Sequence, residues 1–103
     1  MISPPQPVQV WFDTDNLLRV SMSPSRDITG WTLSLEIYED GVGVFGHKTV
    51  FVENVSSGVI TSVVSPDLDG LDSDKKYHFR FLRTNFASRD VVAWGPLPLR
   101  KLS

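Results

Sequence analysis

A chain of 103 residues suits one compact domain, and 41% apolar residues with a mean hydropathy of −0.07 describe an ordinary soluble globule. Ten basic residues against twelve acidic ones give a net charge of −2, which argues against a protein that lives on phosphate contacts, so no nucleic-acid partner is expected. The absence of cysteine excludes disulfides, zinc thiolate sites and cysteine nucleophiles.

Pro4, Pro5 and Pro7 make the first seven residues extended and non-helical. The same stretch has neither the basic nor the apolar region of a secretory leader. No apolar run approaches the roughly 20 residues of a membrane span. Synthesis in a cytoplasm, with no membrane partner, is therefore expected. Val8, Val10 and Phe12 alternate with Gln9 and Trp11 as a first strand, which ends at the turn Asp13-Thr-Asp-Asn16. Leu18, Val20 and Met22 alternate with Arg19 and Ser21 as a second strand, followed by the loop Ser23-Pro-Ser-Arg-Asp27. Trp31, Leu33, Leu35 and Ile37 then alternate with Thr32, Ser34, Glu36 and Tyr38, a period of two that separates an apolar row from a mostly polar one.

Asp40-Gly-Val-Gly breaks that strand. Residues 44–55 are β-prone, with Gly46 expected at a bulge or bend. Ser56-Ser-Gly58 turns the chain into the β-branched run Val59–Val64, which predicts a hairpin. The polar crossover Ser65-Pro-Asp-Leu-Asp-Gly-Leu-Asp-Ser-Asp74 is expected to hold one helical turn, started by Ser65 with Pro66 at its first position. In the strand from Lys76 to Arg83, Tyr77, Phe79 and Phe81 face one way while His78 and Arg80 face the other. After the turn Asn85–Asp90, Val91–Trp94 form a last strand, and Gly95-Pro-Leu-Pro-Leu99 carries it outward at a sheet edge, where proline is tolerated. About seven strands with no amphipathic helix predict a single all-β domain, an antiparallel β-sandwich. Its expected core is Val10, Val20, Trp31, Leu33, Leu35, Ile37, Tyr77, Phe79 and Phe81.

Leu71 precedes Tyr77 across the turn Asp-Ser-Asp-Lys-Lys76. This resembles the tyrosine corner of immunoglobulin and fibronectin type III domains, in which a Tyr hydroxyl clamps the connection entering the penultimate strand. The run from Pro4 to Tyr38 is similar to the first half of a fibronectin type III module, although Met22 stands where that family usually has a core Trp. A second resemblance covers residues 8–99. Asp27-Ile-Thr-Gly-Trp31, Gly58-Val-Ile-Thr61, Tyr77-His-Phe-Arg-Phe-Leu-Arg-Thr84 and Val91-Val-Ala-Trp-Gly-Pro-Leu-Pro-Leu99 follow in the order seen in small β-sandwich domains of tailed-phage baseplate and tail proteins. They are similar to the N-terminal domain of baseplate upper proteins. That resemblance implies an immunoglobulin-like fold and a structural virion role without enzyme activity. It also implies assembly in the host cytoplasm with other virion proteins or further copies of the chain. The fibronectin resemblance implies instead an accessory or adhesion module of a larger secreted protein, with carbohydrate as a candidate ligand.

Among chemical candidates, Asp67, Asp69, Asp72 and Asp74 offer hard oxygen ligands for calcium, but no Glu closes an EF-hand loop, and carboxylates that cap turns are the simpler reading. His47 and His78 have no partner at metal-ligand spacing and read as surface residues. No nucleophile, phosphate-binding or zinc-protease motif is present, so neither enzyme activity nor a cofactor is expected. The rows opposite the core are more suggestive. Trp11, Tyr38, Arg80, Leu82, Val92 and Trp94 form an aromatic, partly apolar set suited to a protein contact, to sugar stacking, or to covering the chain's own sheet. Glu36 and Arg80 are expected to pair across strands, worth about 0.2–1 kcal/mol. Phe86 is expected either to fold onto the core end or to enter a partner.

Overall fold

The computed structural model describes residues 10–22, 24–84 and 90–100. The expectations for Pro4, Pro5, Pro7, Val8 and Phe86 fall outside these residues. In chain order the elements are β1 (Val10–Trp11), β2 (Asn16–Ser21), β3 (Leu33–Glu39), β4 (Gly43–Thr49), β5 (Phe51–Asn54) and β6 (Val59–Val64). The helical turn α1 (Pro66–Asp69) follows, then β7 (Tyr77–Arg83), β8 (Asp90–Leu97) and β9 (Leu99–Arg100). β2, β6 and β5 make a three-stranded antiparallel sheet; β4, β3, β7 and β8 make a four-stranded one; β1 and β9 pair in parallel. This is the β-sandwich expected from the alternation of the strands, and its all-β architecture agrees with the immunoglobulin-like fold that the resemblances imply. Nine strands appear among the described residues for two reasons. The stretch 44–55 divides between the sheets, and the chain beyond Pro98 adds β9.

Every second side chain supplies the core. Leu18, Val20, Ile60 and Val64 line the inner face of the three-stranded sheet; Leu35, Ile37, Tyr77, Phe79, Phe81, Ala93 and Leu97 line that of the four-stranded sheet. Phe79 and Phe81 meet edge to face at 5.8 Å. Each such side chain stabilises the fold by about 1.5–3 kcal/mol on full burial. Trp31 and Leu33 are only partly buried and pack on the rim of the core. The reason for Trp31 lies in its neighbours: the guanidinium groups of Arg26 and Arg83 lie 4.7 and 4.3 Å from its ring centre. Ile28 enters the core from a loop. Its N–H donates to Val55 O at 2.9 Å, so a segment outside any strand is docked beside β5.

Three local devices hold the connections. The Asp27 carboxylate accepts from the Thr29 N–H at 2.8 Å and from the Thr29 hydroxyl at 2.5 Å, and Gly30 follows with φ +80°. At Gly58, φ is +77°, and an added Cβ would lie 2.9 Å from Arg26 O and 3.2 Å from Met22 Cβ. Only glycine fits there, because Met22 N–H donates to Gly58 O at 3.0 Å and holds the two segments together. Tyr77 Oη accepts from the Asp72 N–H at 3.0 Å, with Leu71 buried beside it, which is the tyrosine-corner contact. α1 starts at Pro66 as expected, but Ser65 does not cap it through its hydroxyl, which donates to Asp15 at 2.5 Å. Asp69 accepts the Ser65 N–H instead, at 2.9 Å.

Candidate interaction surface

The outer face of the four-stranded sheet is fixed by register. Glu36 stands beside His47 on β4 and Arg80 on β7, and Arg80 stands beside Trp94 on β8; Tyr38 stands beside Val44 and His78. The expected Glu36–Arg80 pair forms, with Arg80 Nη2 donating to Glu36 Oε1. Glu36 itself, however, is buried. It is only 1% accessible, and His47 Nε2 lies 3.5 Å from its second oxygen. An ion pair with one member so buried is costly to break from either side. The Tyr38 ring takes the Arg80 guanidinium at 4.9 Å and the His78 ring at 4.7 Å. His78 Nδ1 in turn lies 2.5 Å from Asp40 Oδ1. Both histidines thus meet carboxylates brought from other strands or turns, which spacing along the chain does not reveal.

Other residues expected on this face occupy different environments. Leu82 is 5% accessible, so it is covered within the chain. Val92 packs against the core, because a bulge in β8 makes it the extra residue between Val91, opposite Leu82, and Ala93, opposite Phe81. Trp94 is half-buried. Trp11 lies apart from this face, on β1. Its N–H donates to Asn16 Oδ1 at 2.8 Å and its C=O accepts from Asn16 Nδ2 at 2.9 Å. The buried Asn16 also donates to Val64 O at 3.1 Å, tying the first turn to β6.

The acidic crossover uses its carboxylates internally. Asp69 Oδ1 pairs with Lys48 Nζ at 2.7 Å, Asp72 Oδ1 accepts the Asp74 N–H at 2.9 Å, and Asp67 Oδ1 accepts the Leu68 N–H at 3.0 Å. Among the described residues no three His, Asp or Glu side chains are grouped to hold a metal ion, and no helix is long and apolar enough to cross a membrane. A groove of about 390 Å³ lies at one end of the sandwich, walled by Asp40, Lys76, Pro96 and Leu99 among others.

Apart from Val44, beside Tyr38 on this face, most of the accessible apolar side chains lie elsewhere. Val42, Val44, Phe45, Phe51, Val52 and Val55 are exposed along the flank where β4 and β5 run. The outer face of the three-stranded sheet adds Leu17 and Val63, which stand directly opposite one another on β2 and β6. Phe51, opposite Thr61, joins that face to the flank. On the same face Arg19 donates to both carboxylate oxygens of Glu53, at 2.8 and 3.2 Å. The hydrogen bond from Arg19 is the main reason Glu53 is held below the ordinary carboxylate range, and Arg19 is raised by the same contact. Sequence reasoning passed over this surface, since Leu17 and Val63 are the outward members of otherwise ordinary alternations. No protein-family model and no curated protein matches the chain.

Proposed function

We propose that this chain is a non-enzymatic structural module that docks onto other protein chains, and that the assembly it serves is a phage tail or baseplate. The observation that carries the first part is the run of exposed apolar side chains along the β4–β5 flank and on the adjoining face at Leu17, Phe51 and Val63. Exposed apolar side chains of this kind are what protein contacts cover. Support for the tail comes from the order of the motifs along the sequence; two of them also meet in the fold. Arg83 of the Tyr77–Thr84 motif stacks on Trp31 of the Asp27–Trp31 motif, and the Thr84 N–H donates to Thr32 O at 2.8 Å.

Co-expression with the products of the neighbouring genes tests this reading. A defined complex with one of them, purified intact, is the expected result. A chain that joins none of them, and that instead retains a glycan on an array, would replace the reading with the fibronectin-like adhesion module. The tyrosine corner at Tyr77 is equally compatible with that module.

A further inference from the structure

The flank between β4 and β5 differs from the rest of the sandwich in that its inner row is left uncovered. We infer that an extended segment of another protein chain adds beside β4, as a further strand of the four-stranded sheet, and fills that opening; the inference names the partner for the docking reading above and rests on it. The backbone of β4 is placed for such a strand. Thr84 N–H donates to Thr32 O at 2.8 Å and Asp40 N–H donates to Lys76 O at 2.9 Å. The even-numbered residues of β3 therefore turn their backbone groups to β7, and the odd-numbered ones turn theirs to β4. Lys48 and Gly46, opposite Leu35 and Ile37, bond to β3, whereas His47, opposite Glu36, and Thr49, opposite Ser34, turn their N–H groups to the free side. Among the described residues no strand lies there. β5 offers a poorer ladder, being four residues long, bulged at Glu53, and followed by Val55, whose C=O already accepts the Ile28 N–H at 2.9 Å.

The side chains at this flank leave a space for apolar groups. Val52 shares the inner face with its neighbour Ile60, yet Val52 is 46% exposed while Ile60 is fully buried. The inner row of β4 is Lys48, Gly46 and Gly43. A Cβ added at Gly46 would meet nothing within 4 Å, and Lys48 is drawn aside to Asp69 on α1. Phe45, the extra residue of a bulge, stands edge-on to the Tyr77 ring at 5.8 Å and stays 43% exposed. The other two edges are sealed. Leu18 and Val20 on β2, and Ala93 and Leu97 on β8, are at most 3% exposed, and β8 carries Pro96, which has no N–H to offer.

The opening selects its occupant. A strand beside β4 sends every second side chain toward Val52 and Phe45, so those side chains must be apolar. A folded second copy cannot supply them from an edge. The inner rows of its β2 and β8 are buried in its own core, its β4 brings two glycines and an ion-paired lysine, and its β5 brings Val52 alone. A segment that lies outside any sheet is free to turn its apolar side chains inward.

Hydrogen exchange with defined peptides tests the added strand. The probes are peptides of about eight residues with Val or Phe at every second position and Ser between, beside an all-Ser control. The apolar peptides are expected to bind and to slow exchange of the His47 and Thr49 amides at least about tenfold, with the amides of β2 unchanged. The all-Ser control is expected not to bind. Gly46→Val fills the opening from within the chain and is expected to weaken peptide binding at least about tenfold, while circular dichroism shows the fold intact. His47→Pro removes an N–H that no strand of this chain uses and is expected to abolish binding. Apolar peptides that fail to bind, that bind without slowing His47, or that bind Gly46→Val as tightly as the wild type would each overturn the inference. The docking reading fails on a different result, a chain that joins none of its neighbouring gene products, so the two are told apart.

Discussion

The two outer faces of the sandwich differ in what their side chains do. On the four-stranded sheet, Glu36, Arg80, Tyr38 and His78 hold one another, and Glu36 is sealed beneath its partners. On the three-stranded sheet, Leu17 and Phe51 are more than half exposed and Val63 is partly so, around one exposed ion pair. The first face has the residue types that mark interfaces, yet it is largely closed on itself. The second has unremarkable types and open apolar surface. Accessibility, set by what the neighbouring strands bring, separates the two where composition does not.

This contrast breaks if the first face proves dispensable to folding. Arg80→Ala strands the buried Glu36 carboxylate and is expected to destabilise by about 3 kcal/mol in urea denaturation, whereas Leu17→Ser should stay within about 0.5 kcal/mol. Equal effects would mean that the Glu36–Arg80 contact is an ordinary surface pair. Gly58→Ala asks whether the three-stranded sheet also has a rigid part. Its positive φ and the approach of Arg26 O predict a loss of about 2 kcal/mol, read from the same denaturation curves. Tyr77→Phe sharpens the account of the four-stranded sheet. It removes the hydroxyl that accepts the Asp72 N–H and should cost about 1 kcal/mol, with hydrogen exchange of the Asp72 amide accelerated.

The smallest effect concerns acid. Glu53 is held below its ordinary value of 4.5 in the folded chain, so its contribution is complete above that pH and fades as pH falls through the lower folded value. Glu53→Gln should therefore flatten the loss of melting temperature below about pH 4.5. Asp27, lowered by the Thr29 hydroxyl and then by its N–H, should continue to contribute a decline of the same sign in that variant.

The inner faces were legible in the sequence, because alternation at Leu35, Ile37, Phe79 and Phe81 states burial directly. The tyrosine corner and the turn of helix at Pro66 were legible for a similar reason, since each is a short-range pattern. The outer faces were harder to read. Val92 lost its expected side to a bulge, which shifts the alternation by one without any mark in the residue types. Glu36 became buried because Arg80 and His47 arrive from other strands. Ile28 reached the core from a loop that no periodicity describes. The split of residues 44–55 between two sheets was equally silent, since both halves favour extended chain.

That split has a mechanical meaning. The chain leaves one layer at Thr49 and joins the other at Phe51, with the Val50 side chain set against the core between them. Sliding the two layers past each other would pull this short tether taut before any ladder of hydrogen bonds could unzip. Any relative shift of the two layers at this flank is thereby limited to what a single residue can span.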